Sequence, residues 1–202
     1  MGECLSGFDL WAQGYKIKGL RKKSFTSMDI ETFVERSIGE WRSQRSAHHL
    51  AFGHFEEVRS TINIESLTVD TPGVLDLCQR YEVSPEHIVS PFKMTWEGES
   101  DWDEDEVMAG STILIPVPDS ATTGKLLREQ GYAETMEAMG SYCLTDDGTF
   151  ILTTAYDRAA AEEKIWFATP NLRFRVSLIK TSSGKGVTTA SFSSEVRRGV
   201  KS

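Results

Sequence analysis

From residue 29 onward the chain is written in two hydrophobic periods. In DIETFVERSIGEW, Ile30, Phe33, Val34 and Ile38 recur at the spacing that gathers an apolar stripe on one helical face, and Asp29 stands where an N-cap belongs. Gly39 predicts the end of that helix. Beyond it the period drops to two, as in TINIES, where Ile62 and Ile64 alternate with Asn63 and Glu65. On this pattern strands are predicted over residues 41–51, 61–69, 92–97, 111–117, 132–144, 149–157, 165–168, 172–180 and 187–197, with a second helix over 74–81. TDDG at 145–148 and SSGKG at 182–186 carry the turn chemistry of hairpins.

A leading helix, eight or more short strands and one further short helix predict a mainly all-β domain built on one antiparallel sheet. Such a sheet must hide its edges, and closure into a barrel removes them. A barrel of that strand number leaves room for one small ligand, lined by every second residue of each strand. The expected organisation is a basic N-terminal extension, residues 1–27, followed by a single barrel domain over 28–202.

Composition narrows the picture. The 202 residues are 39% hydrophobic with a net charge of −8, enough for one core and unsuited to nonspecific nucleic-acid binding. No apolar run approaches the ~18 residues of a membrane span. Residues 1–27 carry Lys16, Lys18, Arg21, Lys22 and Lys23 against Glu3 and Asp9, so the rest of the chain is more acidic than the total. Three scattered cysteines give neither a disulfide framework nor zinc-ligand spacing, and the neighbours His48 and His49 face opposite sides of a strand, so no metal site is expected. EGESDWDEDE at 97–106 lacks the glycine-punctuated loop of a calcium site and reads as a solvated strand end.

Two features suggest what the barrel holds. Gly39-Glu40-Trp41, a G-x-W opening the first strand after a helix, is similar to the signature of lipocalin-type barrels, in which the tryptophan closes the floor and an arginine from a late strand covers it. Alternation from Trp41 then sets Ser43, Arg45, Ala47 and His49 on one face and Arg42, Gln44, Ser46 and His48 on the other, so one arginine-bearing face points inward. An inward guanidinium needs a protein carboxylate or an anionic ligand. Arg173 and Arg175 repeat the pattern on a late strand, and Glu195 lies among small residues on the last one. Arginines, aromatic walls and a few carboxylates suit a flat conjugated acid.

The segments DIETFVERSIGEWRSQRSAHHLAF, WFATPNLRFRVSLIK and TASFSSEVRR, in this order and with YEVSPE, TWEGESDWD, GSTILIPVPD and GKLLREQGYAE between them, resemble the S-type phycobilin lyases, the CpcS/CpeS group, over about residues 28–198. The resemblance departs at Thr169, where many members have asparagine, and at Ser193, where many have cysteine. It implies a lipocalin- and fatty-acid-binding-protein-like barrel. It also implies noncovalent binding of an open-chain tetrapyrrole, phycoerythrobilin or phycocyanobilin, and its attachment by a thioether bond to a cysteine of a phycobiliprotein subunit, phycoerythrin or phycocyanin. The bilin is substrate, and no cofactor is expected. A bilin reductase as donor, a homodimer, and a cyanobacterial cytoplasm or algal plastid complete that picture. A noncatalytic carrier of bilin or lipid is the competing reading, and a scaffold that binds the subunit without pigment is a third.

For such a ligand Arg42 or Arg45, together with Arg173 or Arg175, are the expected grips on the propionates, with Trp96, Tyr156, Trp166 and Phe192 as aromatic walls. Glu195 and Asp157 are the expected catalytic carboxylates, meeting the pyrrole nitrogens and keeping the bilin protonated while the acceptor thiol attacks. Glu195 has a second reading, in which it neutralises an internal arginine such as Arg45.

Overall fold

The leading helix forms as α1 (Ile30–Ser37), with Asp29 Oδ1 accepting from the Thr32 backbone N–H at 2.8 Å and Ile30, Phe33 and Val34 buried. It ends before Gly39, whose φ of +125° suits only glycine and where a Cβ would lie 2.7 Å from Arg197 Nη1. That close approach lets Arg197 donate to the carbonyls of Arg36, at 2.6 Å, and Ile38, satisfying the end of the helix. This computed structural model describes residues 28–101, 107–129, 138–181 and 186–199.

Ten strands follow: β1 (Gly39–His49), β2 (His54–Ser66), β3 (Phe92–Ser100), β4 (Val107–Pro118), β5 (Thr123–Arg128), β6 (Ala138–Leu144), β7 (Phe150–Ala155), β8 (Ala159–Thr169), β9 (Leu172–Thr181) and β10 (Val187–Arg197). Each pairs antiparallel with its neighbours in sequence, and β10 returns to β1 to close the barrel, with Trp41 opposite Arg197 and His49 opposite Thr189. α2 (Pro72–Arg80) and a turn of 3₁₀ helix at Pro85–His87 lie between β2 and β3. No helix among the described residues is long and apolar enough to cross a membrane.

The strand expectations hold in type and differ in extent. β2 begins at His54, not 61, because HFEEVRS alternates with Glu56 and Val58 inward, a pattern that a buried glutamate disguises. β8 begins at Ala159, not 165, since AAAEEK favours a helix by propensity and is held in the sheet by pairing on both sides. β5 was not expected at all. Residues 1–27, 102–106 and 130–137, and most of the hairpin expected at 182–186, fall outside the described residues.

One end of the barrel is filled. The apolar face of α1 meets Leu114, Leu126, Tyr142, Leu144, Phe150, Leu152 and Ile165, with Phe33 stacked on Phe150 at 4.4 Å. Trp41 is fully buried beside this cluster, its Nε1 donating to the Ser37 carbonyl at 2.8 Å. The guanidiniums of Arg173 and Arg197 lie 4.4 and 4.2 Å from its ring centres, so the floor tryptophan is covered by two arginines from late strands. α2 packs outside, setting Val74, Leu77 and Cys78 against Ile115 and Leu127 on the opposite faces of β4 and β5.

Candidate functional site

Alternation from Trp41 decides what the interior contains. Ser43, Arg45, Ala47 and His49 of β1 share the inner face with Val58, Ser60 and Ile62 of β2 and Met94, Trp96 and Gly98 of β3. Met108 and Thr112 of β4, Arg128 of β5 and Glu163 of β8 join them. Arg175, Ser177 and Ile179 of β9 and Thr189, Ser191, Ser193 and Glu195 of β10 complete a cavity of about 480 Å³. The many small residues on β10 are what leave the space open. Trp96 lies flat against β4 because its partner across the ladder is Gly110, where a Cβ would come within 2.4 Å of the indole.

Two ion clusters line this cavity. At the mouth, Glu56 accepts from Ser100 Oγ at 2.7 Å and meets His49 Nε2 at 2.9 Å and Arg45 Nη2 at 3.4 Å. Burial alone would raise the Glu56 pKa, but the bonds from His49 and Ser100 and the charge of Arg45 outweigh it, and the carboxyl is held below its ordinary value. Deeper, the charges alternate in a chain. Arg128 Nη2 reaches Glu163 Oε2 at 2.9 Å, and Arg175 Nη1 lies 3.3 Å from Glu163 Oε1. Arg175 Nε is 3.2 Å from Glu195 Oε1, and Arg173 Nε donates to Glu195 Oε2.

Glu163 and Glu195 are 3% and 1% exposed. For both, burial pushes the pKa up and the neighbouring guanidiniums push it down harder, so each stays ionised: Arg128 and Arg175 act on Glu163, Arg175 and Arg173 on Glu195. Burial also pulls Arg173 down to about 10, against the pull of Glu195.

Of the residues expected at the site, Arg45, Trp96, Arg175 and Glu195 line the cavity. Arg173 is inward but sealed beneath it, 1% exposed, between Glu195 and Trp41. Glu195 pairs with an internal arginine as its second reading had it, but with Arg173 and Arg175, while Arg45 takes Glu56.

Five expected positions lie elsewhere. Arg42 has the parity opposite to Trp41 and lines a hollow on the outer wall with Arg59, Glu97, Glu99 and Val196. Trp166 and Phe192 are outward by the same alternation and form a surface aromatic row through Phe174, with ring centres 5.6 Å apart at each step. β7 stops at Ala155, so Tyr156 and Asp157 belong to the turn before β8, where Asp157 is exposed. Neither lines the cavity.

Glu56, Arg128 and Glu163 were missed, each lying on a stretch not read as strand. Alternation of Glu56 with Val58 and of Glu163 with Ala161 and Ile165 was the available signal. Ser193 is 4% exposed and faces the cavity.

Residues 29–198 match the family model described as CpeS-like protein. "Chromophore lyase CpcS/CpeS 3" of Trichodesmium erythraeum (strain IMS101) is 65% identical over 84% of this chain and 99% of its own length. "Putative phycoerythrobilin lyase CpeS" of Microchaete diplosiphon is 58% identical over 77% of this chain and 71% of its own length. Among solved structures, the S-type phycobiliprotein lyase CPES from Guillardia theta superposes with a TM-score of 0.77 at 52% identity, covering 86% of this chain and 95% of that one.

Proposed function

The chain belongs to the CpeS-like family, and from that premise we propose that this bilin lyase holds an open-chain tetrapyrrole noncovalently in its barrel and directs thioether attachment to a cysteine of a phycobiliprotein subunit. The observation that carries this reading is the ion chain from Arg128 to Arg173. It lays cationic donors and ionised carboxylates side by side from β5 across to β8, β9 and β10, in a cavity that Trp96 and Met94 also line.

Each part of that wall answers a part of the pigment. Arg45, Arg128 and Arg175 offer N–H donors to propionates. The second lone pairs of Glu163 and Glu195 accept from pyrrole N–H groups, and a carboxylate held ionised there favours the protonated, electron-poor ring system. The acceptor sulfur adds to the ring-A ethylidene carbon, forming the C–S bond, and a proton goes to the ring carbon beside it. The protein supplies orientation and electrostatic stabilisation of that addition, and the nucleophile comes from the acceptor. Ser193 offers no thiol for a covalent relay, in keeping with a pigment that is never bonded to the lyase. The same reading takes phycoerythrobilin or phycocyanobilin as pigment, a phycoerythrin or phycocyanin subunit as acceptor, a bilin reductase as donor, a homodimer as the working form, and a cyanobacterial cytoplasm or algal plastid as its place.

Co-expression with a bilin-producing pathway and a phycobiliprotein subunit tests it. After denaturing electrophoresis, zinc-enhanced fluorescence on the subunit band, dependent on this protein, is the expected result. Pigment bound by the protein but never transferred would make it a carrier, and pigment remaining on the lyase band would contradict noncovalent holding.

A further inference from the structure

The inner ion chain has two end members, Arg128 and Arg173, and each of its two glutamates is shared by two arginines. The ends differ in what they face. The Arg173 end is closed: that side chain is 1% exposed, lies against the Trp41 ring and does not line the cavity. The other end is Arg128. It is 8% exposed, it lines the cavity, and its Nε has no hydrogen-bond partner among the described residues. Its one carboxylate partner, Glu163, sits on β8, with β6 and β7 between the two strands, so Arg128 bridges the interior rather than a ladder.

A buried guanidinium with one carboxylate and an unused donor is costly unless a further anion completes it. Resting on the functional reading above, we infer that Arg128 is the specificity-determining cation of the cavity: its open donor takes a ligand carboxylate and selects diacid tetrapyrroles over their neutral esters. A carboxylate meets that donor with a full negative charge, whereas an ester offers only a neutral carbonyl.

The experiment measures the affinity of biliverdin and of biliverdin dimethyl ester, by absorbance titration, for the wild-type protein and for the variants Arg128→Gln and Arg128→Lys. The wild type is expected to prefer the diacid. In Arg128→Gln the diacid should weaken by about tenfold to a hundredfold while the diester changes by less than about twofold, the range expected for one charge-assisted hydrogen bond. Arg128→Lys, which keeps the charge, should recover most of the preference. Near-equal affinity of the wild type for the two forms would overturn the inference whatever the variants do, including the case in which Arg128→Gln fails to fold. Equal weakening of both forms in Arg128→Gln would reduce Arg128 to a structural partner of Glu163 and overturn it too. No binding of either form by the wild type would bring down the functional reading along with it.

Discussion

The two ends of this barrel are made by the same strands and have opposite interiors. At the α1 end the inner positions of β1, β2 and β4 are Trp41, Ile64 and Leu114, and they are buried in the packed core. Toward the mouth the same strands offer Ala47, His49, Val58 and Met108, and the interior opens. Side-chain size and charge at these inner positions decide where the hollow begins. Arginine marks the contrast. Below, Arg173 and Arg197 are spent on Trp41, on Glu195 and on helix carbonyls. Above, Arg45, Arg128 and Arg175 face space.

The comparison breaks most visibly at the sealed end. Trp41→Ala removes a fully buried ring and leaves two guanidiniums over a void, so it should cost about 3–5 kcal/mol of stability by urea denaturation. Glu195→Gln spans both ends. It should destabilise by about 3 kcal/mol, since Arg173 and Arg175 lose a shared buried counter-charge, and it should also slow bilin transfer more than it weakens binding. Glu56→Gln, at the wetter mouth, should cost only about 1 kcal/mol.

Acid sharpens the same contrast. Glu56, Glu163 and Glu195 all have folded-state pKa values below their ordinary 4.5, so below that value the unfolded chain binds more protons. Their stabilisation is complete above about pH 4.5 and is lost as the pH falls through the depressed folded values. Thermal melts from pH 7 to pH 3 should show this fall, with a shallower slope in Glu195→Gln.

Gly110→Val should leave the barrel folded but push the Trp96 indole into the cavity, weakening biliverdin about tenfold in an absorbance titration. The smallest effects belong to the outer wall. Arg42→Ala and Trp166→Ala should each change bilin affinity by less than about twofold, and a larger loss would move the site off the inner face.

Much of this was legible because period-two alternation is a strict rule once a strand is recognised. Alternation put Arg45 on the Trp41 side of β1 and Arg42 on the other while leaving open which side faced inward, and the G-x-W triplet announced a floor that proved to be covered by arginines. Legibility failed where propensity opposed pairing, as in AAAEEK, and where a charge occupied an inner position, as at Glu56 and Glu163. It failed also at Arg42 and Trp166, because an arginine or an aromatic ring on a strand looks the same whichever face it occupies. The partnership of Arg128 with Glu163 joins strands that are not neighbours, so no local pattern could show it.

The closure of β10 on β1 joins the last strand of the domain to the first, and this sets an order of events during synthesis. Such a long-range pairing forms late, after the intervening hairpins have had time to assemble locally. Until β10 docks, Arg173 and Arg175 lack Glu195, Trp41 lacks Arg197, and the interior is an open trough without its wall of small residues. A nascent chain therefore has no closed cavity until β10 has left the ribosome, and a chain truncated before β10 should emerge as an aggregation-prone sheet with two bare edges.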